Sequence, residues 1–220
     1  MRTNPWFGSL TAAEQQALLI GCEVLELRSG KFLFRQGDLP DGFYGLNGGR
    51  LKATTVREDG REAILAVIEP GNWFGQTSMA AHVPRARDVV ALEDSSIFAV
   101  KPDAFDALMQ NHNLVMAIAR LQSMHLNLLY RMIEDATLHS TQARVARRLV
   151  LLAYGDLTMA SKNRREVTVS QDTLAMMVGV TRQTLALELR AFATQGAIAL
   201  RYGRIEILSK EILLTFCENL

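Results

Sequence analysis

Between residues 23 and 100, apolar residues come in short alternating or continuous runs, at 32–34, 43–46, 51–56, 63–68 and 89–100. Turn formers separate the runs: Gly30, Gly37-Asp38, Asp41-Gly42, Gly48-Gly49, Asp59-Gly60 and Pro70-Gly71. Short strands at such regular spacing predict a barrel or sandwich. Asp59-Gly60 is the sharpest hairpin signal, because glycine takes the positive φ that a tight turn demands. A short helix is expected ahead of the strands, with Thr11 as N-cap and Glu14 three residues on, the pattern of a capping box.

The period changes after Pro102, which suits a first helical turn where its missing N–H costs nothing. From 114 to 136 there is neither Gly nor Pro. Leu114, Ile118, Leu121, His125, Leu128 and Met132 follow a 4-3-4-3-4 spacing, a coiled-coil seam. Met116, Ala117, Met124, Leu129 and Ile133 add apolar surface on other faces. A helix that is apolar on more than one face must be covered on more than one side. The expectation is one face on the barrel and another on a second copy of the chain; burial inside a single domain is the alternative. Ser140 or Thr141 can cap a further helix over 142–154. The polar stretch 155–165, with Lys162, Arg164 and Arg165, reads as a loop.

Residues 169–185 fit a helix-turn-helix. Ser170, followed by Gln171, is the first N-cap; Ala175 is small enough for a second helix to cross close above it; Gly179 stands where the turn needs a left-handed residue; Val180 fills the angle. Thr181 caps the second helix, whose N-terminal N–H groups suit a phosphate. At about 100° per residue, Arg182, Gln183, Ala186 and Arg190 share one arc, while Leu185, Leu189 and Phe192 share another. One face is therefore apolar, and the other offers donors for base edges, arginine for guanine and glutamine for adenine. Leu187 lies at the edge of the polar arc, with Thr184 nearby. Residues 197–200 and 204–208, joined around Tyr202-Gly203, read as a hairpin or wing that brings Arg201 and Arg204 toward a duplex backbone.

Charge adds a modest argument. The net charge is +1, but from Ser140 onward there are 11 Lys and Arg against 7 Asp and Glu, a balance of +4, and the rest carries −3. The excess falls where a polyanion would bind. The chain has 220 residues, which suits two modest domains, with 49% hydrophobic and 21% charged residues. No run approaches the roughly 20 apolar residues of a membrane span, and the N-terminus lacks the apolar run of a signal peptide, so a cytoplasmic location without membrane partners is expected. Cys22 and Cys217 are the only cysteines; two thiols do not make a four-cysteine zinc or iron–sulfur site. The sequence has no Ser/His/Asp arrangement, metal-ligand spacing, P-loop or dinucleotide fingerprint, which argues against an enzyme.

These parts together resemble the CRP/FNR family, the regulators named for the cyclic-AMP receptor protein and the fumarate-nitrate regulator. The resemblance covers nearly the whole chain. It is clear from Gly37-Asp38 through Leu51, in Pro70-Gly71-Asn72-Trp73-Phe74-Gly75 with Pro84-Arg85-Ala86, and in Thr181-Arg182-Gln183-Thr184 with Arg190. It implies an α+β chain with an N-terminal cyclic-nucleotide-binding-type β-roll over 1–112, a long dimerisation helix over 113–139 and a C-terminal winged helix-turn-helix over 140–220. It also implies a homodimer on double-stranded DNA at a palindromic site, and contact with RNA polymerase through the 155–165 loop.

The resemblance also shows departures. Gln183 replaces the family's glutamate, so the usual half-site does not follow, and Leu187 replaces a polar contact. In the sensor cassette the positions matching the family's ribose and phosphate ligands are Gly75, Gln76, Arg85 and Ala86. Arg85 keeps the phosphate charge, Gln76 loses the carboxylate and Ala86 loses the hydroxyl. Leu129-Tyr130 replaces the Thr-Ser pair that meets adenine. These losses argue against cyclic AMP and leave an unknown effector or none. No N-terminal cysteine cluster supports an iron–sulfur cluster. A haem would need an axial histidine; among His82, His112, His125 and His139 only His125, in the seam, is worth testing. The competing reading is a ligand-sensing or protein-interaction module that uses the β-roll without reading DNA sequence.

Overall fold

The computed structural model describes residues 4–60, 62–155 and 165–217. The chain divides into two compact units, the first ending at Leu126 and the second beginning at Asn127.

The first unit opens with two short helices, α1 (Pro5–Gly8) and α2 (Ala12–Ile20). The capping box of α2 forms as expected: Thr11 Oγ1 accepts from Glu14 N, and Glu14 accepts from Thr11 N. Eight strands follow: β1 (Cys22–Leu27), β2 (Phe32–Phe34), β3 (Phe43–Gly48), β4 (Leu51–Val56), β5 (Glu62–Ile68), β6 (Trp73–Phe74), β7 (Asp88–Ala91) and β8 (Ser95–Val100). They form two antiparallel four-stranded sheets, ordered β1-β8-β3-β6 and β2-β7-β4-β5, the two walls of a β-roll. The β4–β5 hairpin turns at Asp59-Gly60, with Gly60 at φ 80.

Two sequence expectations need correction here. The run 89–100 is not one strand: it breaks at residues 92–94, and β7 and β8 join different sheets. The break is a corner of the roll, where Asp94 accepts from the Ser29 N–H. The cassette between β6 and β7 also contains a short helix, α3 (Gln76–Ala81), which ends on His82 in the left-handed region. Its six residues are too few to show a period.

α4 (Pro102–Leu108) follows the roll, and α5 (His112–Leu138) starts on Asn111, whose side chain accepts from the N–H groups of Asn113 and Leu114. The apolar seam does not behave as one row. Ile118 and Leu121 are buried with Ala117 in a cluster that holds Trp6, Phe7, Phe43, Trp73 and Phe105, and Leu114 is 5% exposed. Trp6 Nε1 donates to the Ala117 carbonyl at 2.6 Å. The first half of the seam thus serves this chain's own core. The exposed apolar row is shifted by one residue, at Val115, Leu126, Leu129 and Ile133, with Tyr130 beside it. A one-residue shift turns the face by about 100°.

In the second unit, α6 (Thr141–Tyr154) is capped by Ser140, which accepts from Ala143 N. β9 (Glu166–Val167), α7 (Gln171–Val178), α8 (Arg182–Thr194), β10 (Ile198–Arg201), β11 (Arg204–Ile207) and α9 (Lys210–Thr215) complete it. The wing is a three-stranded sheet ordered β10-β11-β9, one strand more than the sequence pattern indicated, because β9 is only two residues long. Leu149, Leu174, Leu185, Leu189, Phe192 and Ile198 close the core. The described chain is thus α+β: a β-roll, a long helix and a winged helix-turn-helix.

Candidate nucleic-acid interface and sensor site

The helix-turn-helix is held by local chemistry that its sequence dictates. Ser170 Oγ accepts from Thr173 N at 3.0 Å and starts α7; Gly179, at φ 74 and ψ 38, ends it. Thr181 Oγ1 accepts from Thr184 N at 3.1 Å and starts α8. By helix geometry the N–H groups of Arg182 and Gln183 have no acceptor within the helix, so the start of α8 favours an anion. Two residues that sequence reasoning missed finish the turn. From α6, Arg144 donates to the Val178 carbonyl and Arg148 to that of Met177 at 3.4 Å, satisfying the end of α7. Their four-residue spacing was visible, but their target was not.

The rotation of α8 is fixed by its apolar side. Leu185, Leu189 and Phe192 are fully buried, and Phe192 packs on Phe216 at 4.8 Å. Each such side chain is worth about 1.5–3 kcal/mol when buried, so the helix cannot roll. Arg182, Gln183, Leu187 and Arg190 are then exposed, Leu187 at 64%, with Thr184 and Ala186 half-buried beside them. Ser170 is exposed and Gln171 half-buried at the start of α7.

Several cations of this surface carry carboxylate neighbours. Arg182 Nε lies 3.5 Å from Asp172, Arg201 Nε 3.2 Å from Glu206, and Arg204 Nε 3.5 Å from Glu166. These pairs are solvent-exposed and weak, so they orient the arginines at little cost to release them. Glu166 belongs to β9, which the sequence pattern did not reveal. Tyr202 is fully exposed at the tip of the wing. Lys162 and Arg164 of the expected polar loop lie outside the described residues, as does most of that loop.

The sensor cassette brings Gly75 and Arg85 together, while the side chain of Gln76 turns to α5. Arg85 is buried: Nη1 donates to the Gly75 carbonyl at 3.0 Å, and Nη2 donates to Asp41 Oδ1 at 2.9 Å and to the Gly42 carbonyl at 2.7 Å. Its guanidinium lies 4.3 Å from the Phe34 ring centroid. Tyr44 donates to the same Asp41 oxygen at 2.7 Å. Partial burial pushes the Asp41 carboxyl up, but hydrogen bonds from Tyr44 and Arg85 outweigh it and hold it below its ordinary value. Burial, then Asp41, pushes the Tyr44 phenol up. Asp41 and Tyr44 were not singled out from the sequence, where Asp41-Gly42 reads only as a turn.

Gln76 is 2% exposed, and its amide meets Gln122 Oε1 at 3.3 Å and His125 Nδ1 at 2.9 Å. Ala86 is exposed and offers no hydroxyl. Leu129 and Tyr130 belong to the second unit's part of α5 and are both exposed. Burial pushes the thiols of Cys22 and Cys217 up to about 11, so neither is reactive at neutral pH. Among the described residues, no cluster of His, Cys, Asp or Glu could hold a metal ion, and no helix is long and apolar enough to cross a membrane.

Comparison with known proteins agrees with this architecture. Residues 24–112 match the cyclic nucleotide-binding domain family, and residues 143–216 match the Crp-like helix-turn-helix domain family. The chain is 28% identical to the cyclic AMP receptor protein of Thermus thermophilus over 219 residues, covering 97% of this chain and 96% of that protein. It is 24% identical to a CRP-like cAMP-activated global transcriptional regulator of Mycobacterium tuberculosis over 199 residues, covering 90% and 89%. Among solved structures, FixK2 from Bradyrhizobium japonicum superposes with a TM-score of 0.80 at 18% identity, covering 90% of this chain and 98% of that one. With both halves of the fold matched in order along one chain, this protein belongs to the CRP/FNR family of transcriptional regulators.

Proposed function

We propose that the chain acts as a homodimer on a palindromic DNA site and answers to an effector other than cyclic AMP, or to none. The observation that carries this reading is the fixed rotation of α8, with Leu185, Leu189 and Phe192 buried and Arg182, Gln183 and Arg190 exposed. Arg182 and Gln183, at the start of the helix, read base edges. Ser170, Gln171, Thr181 and Thr184 meet phosphates near the two helix starts. Leu187 offers an apolar surface to a thymine methyl. Arg190, Arg201 and Arg204 face the backbone.

Two recognition helices must reach successive major grooves about 34 Å apart, and the exposed row of α5 supplies a self-complementary face for a second copy. Residues 1–112 then serve as sensor, 113–139 as dimerisation helix and 140–220 as DNA-binding domain, in the bacterial cytoplasm. Relatives named for cyclic AMP raise it as a ligand, but Arg85 is engaged within the roll, Gln76 is engaged with α5, and Ala86 lacks a hydroxyl. RNA polymerase is the expected protein partner once DNA is bound.

The test combines sedimentation with fluorescence anisotropy on recovered genomic fragments, with and without cyclic AMP. A dimer that binds a palindrome regardless of cyclic AMP supports the reading. A monomer, or binding that requires cyclic AMP, overturns it.

A further inference from the structure

We propose that Asp41 is a built-in occupant of the Arg85 anion seat, so that the β-roll excludes phosphate-bearing ligands for as long as this carboxylate stays in place. The inference rests on the reading of Gly75, Gln76, Arg85 and Ala86 as the effector pocket. A guanidinium has five N–H donors. Both protons of Arg85 Nη2 are taken, by Asp41 Oδ1 at 2.9 Å and the Gly42 carbonyl at 2.7 Å, and Nη1 serves the Gly75 carbonyl at 3.0 Å. The arginine side chain is 1% exposed, whereas that of Asp41 is 59% exposed. The negative partner therefore stands at the water and the positive one is sealed behind it.

The seat is shaped for close approach to the arginine. Gly75 has φ 91, and a Cβ there would lie 3.1 Å from Arg85 Nη1 and 3.3 Å from the Gly42 carbonyl, so only glycine lets its carbonyl close on the guanidinium. The seat is also incompletely filled. Arg85 Nε is buried without an acceptor among the described residues. Phosphate binds guanidinium through two parallel N–H bonds, whereas Asp41 gives Arg85 a single oxygen and turns the same oxygen to Tyr44. An entering phosphate must displace a charge already hydrogen-bonded twice. Removing that charge leaves a buried cation with a donor to spare.

The experiment is calorimetric titration of the full chain, without DNA, with inorganic phosphate and with cyclic AMP as probes. Asp41→Asn keeps an acceptor for Tyr44 and removes only the charge; Asp41→Ala empties the place. Wild type should show no saturable binding. Both variants should bind at least about tenfold more tightly than any wild-type signal, and Arg85→Ala added to Asp41→Ala should abolish the gain. Variants that unfold cooperatively as wild type does yet gain no affinity would overturn the proposal. Failure of both variants to fold would also overturn it, by making Asp41 a structural residue. Wild-type binding at the variants' strength contradicts it too. DNA binding by wild type is scored separately: its absence would fail the regulator reading and leave the titration result standing.

Discussion

The side-chain amide of Gln76 lies 2.9 Å from Nδ1 of His125, which ties the first turn of α3 to α5 within the first unit. With the amide nitrogen as donor, Nδ1 accepts and the ring proton sits on Nε2. The residue that the family resemblance assigns to a ribose is thus engaged with the long helix. Gln76→Leu takes the amide from both His125 and Gln122 and should lower stability by about 1–3 kcal/mol, read from the midpoint of urea unfolding. An unchanged midpoint would show that the contact holds nothing.

The two apolar rows of α5 should respond differently to charge. Leu126→Asp with Ile133→Asp strikes exposed positions and should give a folded monomer in sedimentation that binds DNA weakly. Ile118→Asp places a carboxylate among Trp6, Phe43 and Phe105 and should unfold the first unit. A dimeric Leu126→Asp, Ile133→Asp variant would remove the exposed row as the dimer face.

Much of this was legible in the sequence because local chemistry fixes it. Thr11, Ser140, Ser170 and Thr181 all cap helices, and Gly60 and Gly179 take positive φ, since these signals depend on neighbours a few residues away. The α5 seam was misjudged because the 4-3 spacing of Leu114, Ile118 and Leu121 describes a buried stripe equally well whichever partner buries it. The break between β7 and β8, the pairing of Arg85 with Asp41 and the capping of α7 by Arg144 and Arg148 depend on residues 29 to 65 positions apart, which no local pattern encodes.

Acid should weaken the first unit in a defined window. Burial pushes both Asp41 and Glu62 up, but hydrogen bonds outweigh it, from Tyr44 and Arg85 on Asp41 and from Lys52 and Thr54 on Glu62, leaving both below their ordinary values of 3.8 and 4.5. A depressed folded value means the stability is complete above the unfolded value and is lost as pH falls through the folded one. Unfolding free energy should therefore drop below about pH 4, and Asp41→Asn with Glu62→Gln should flatten that drop. Parallel profiles for variant and wild type would contradict the assignment.

Gly179→Ala isolates the turn. A Cβ there meets only Arg144 Nη2, at 3.7 Å, an ordinary contact. The cost is then that of the left-handed backbone, about 1–2 kcal/mol, measured by thermal unfolding. A loss several times larger would mean that the angle between α7 and α8 has shifted.

The most direct test of base reading is selection of bound sequences from a random DNA pool, for wild type and for variants of α8. Wild type should return a palindrome whose half-sites lie about one helical turn apart. Arg182→Ala should cost about 1–3 kcal/mol and relax preference at a guanine, and Gln183→Glu should shift preference toward cytosine on the contacted strand. Arg190→Ala should weaken all sequences alike and lower the salt slope by about one. If the Arg182 and Gln183 variants return the wild-type consensus unchanged, the exposed face of α8 does not read bases, and the account of this chain as a sequence-specific regulator through that helix is wrong.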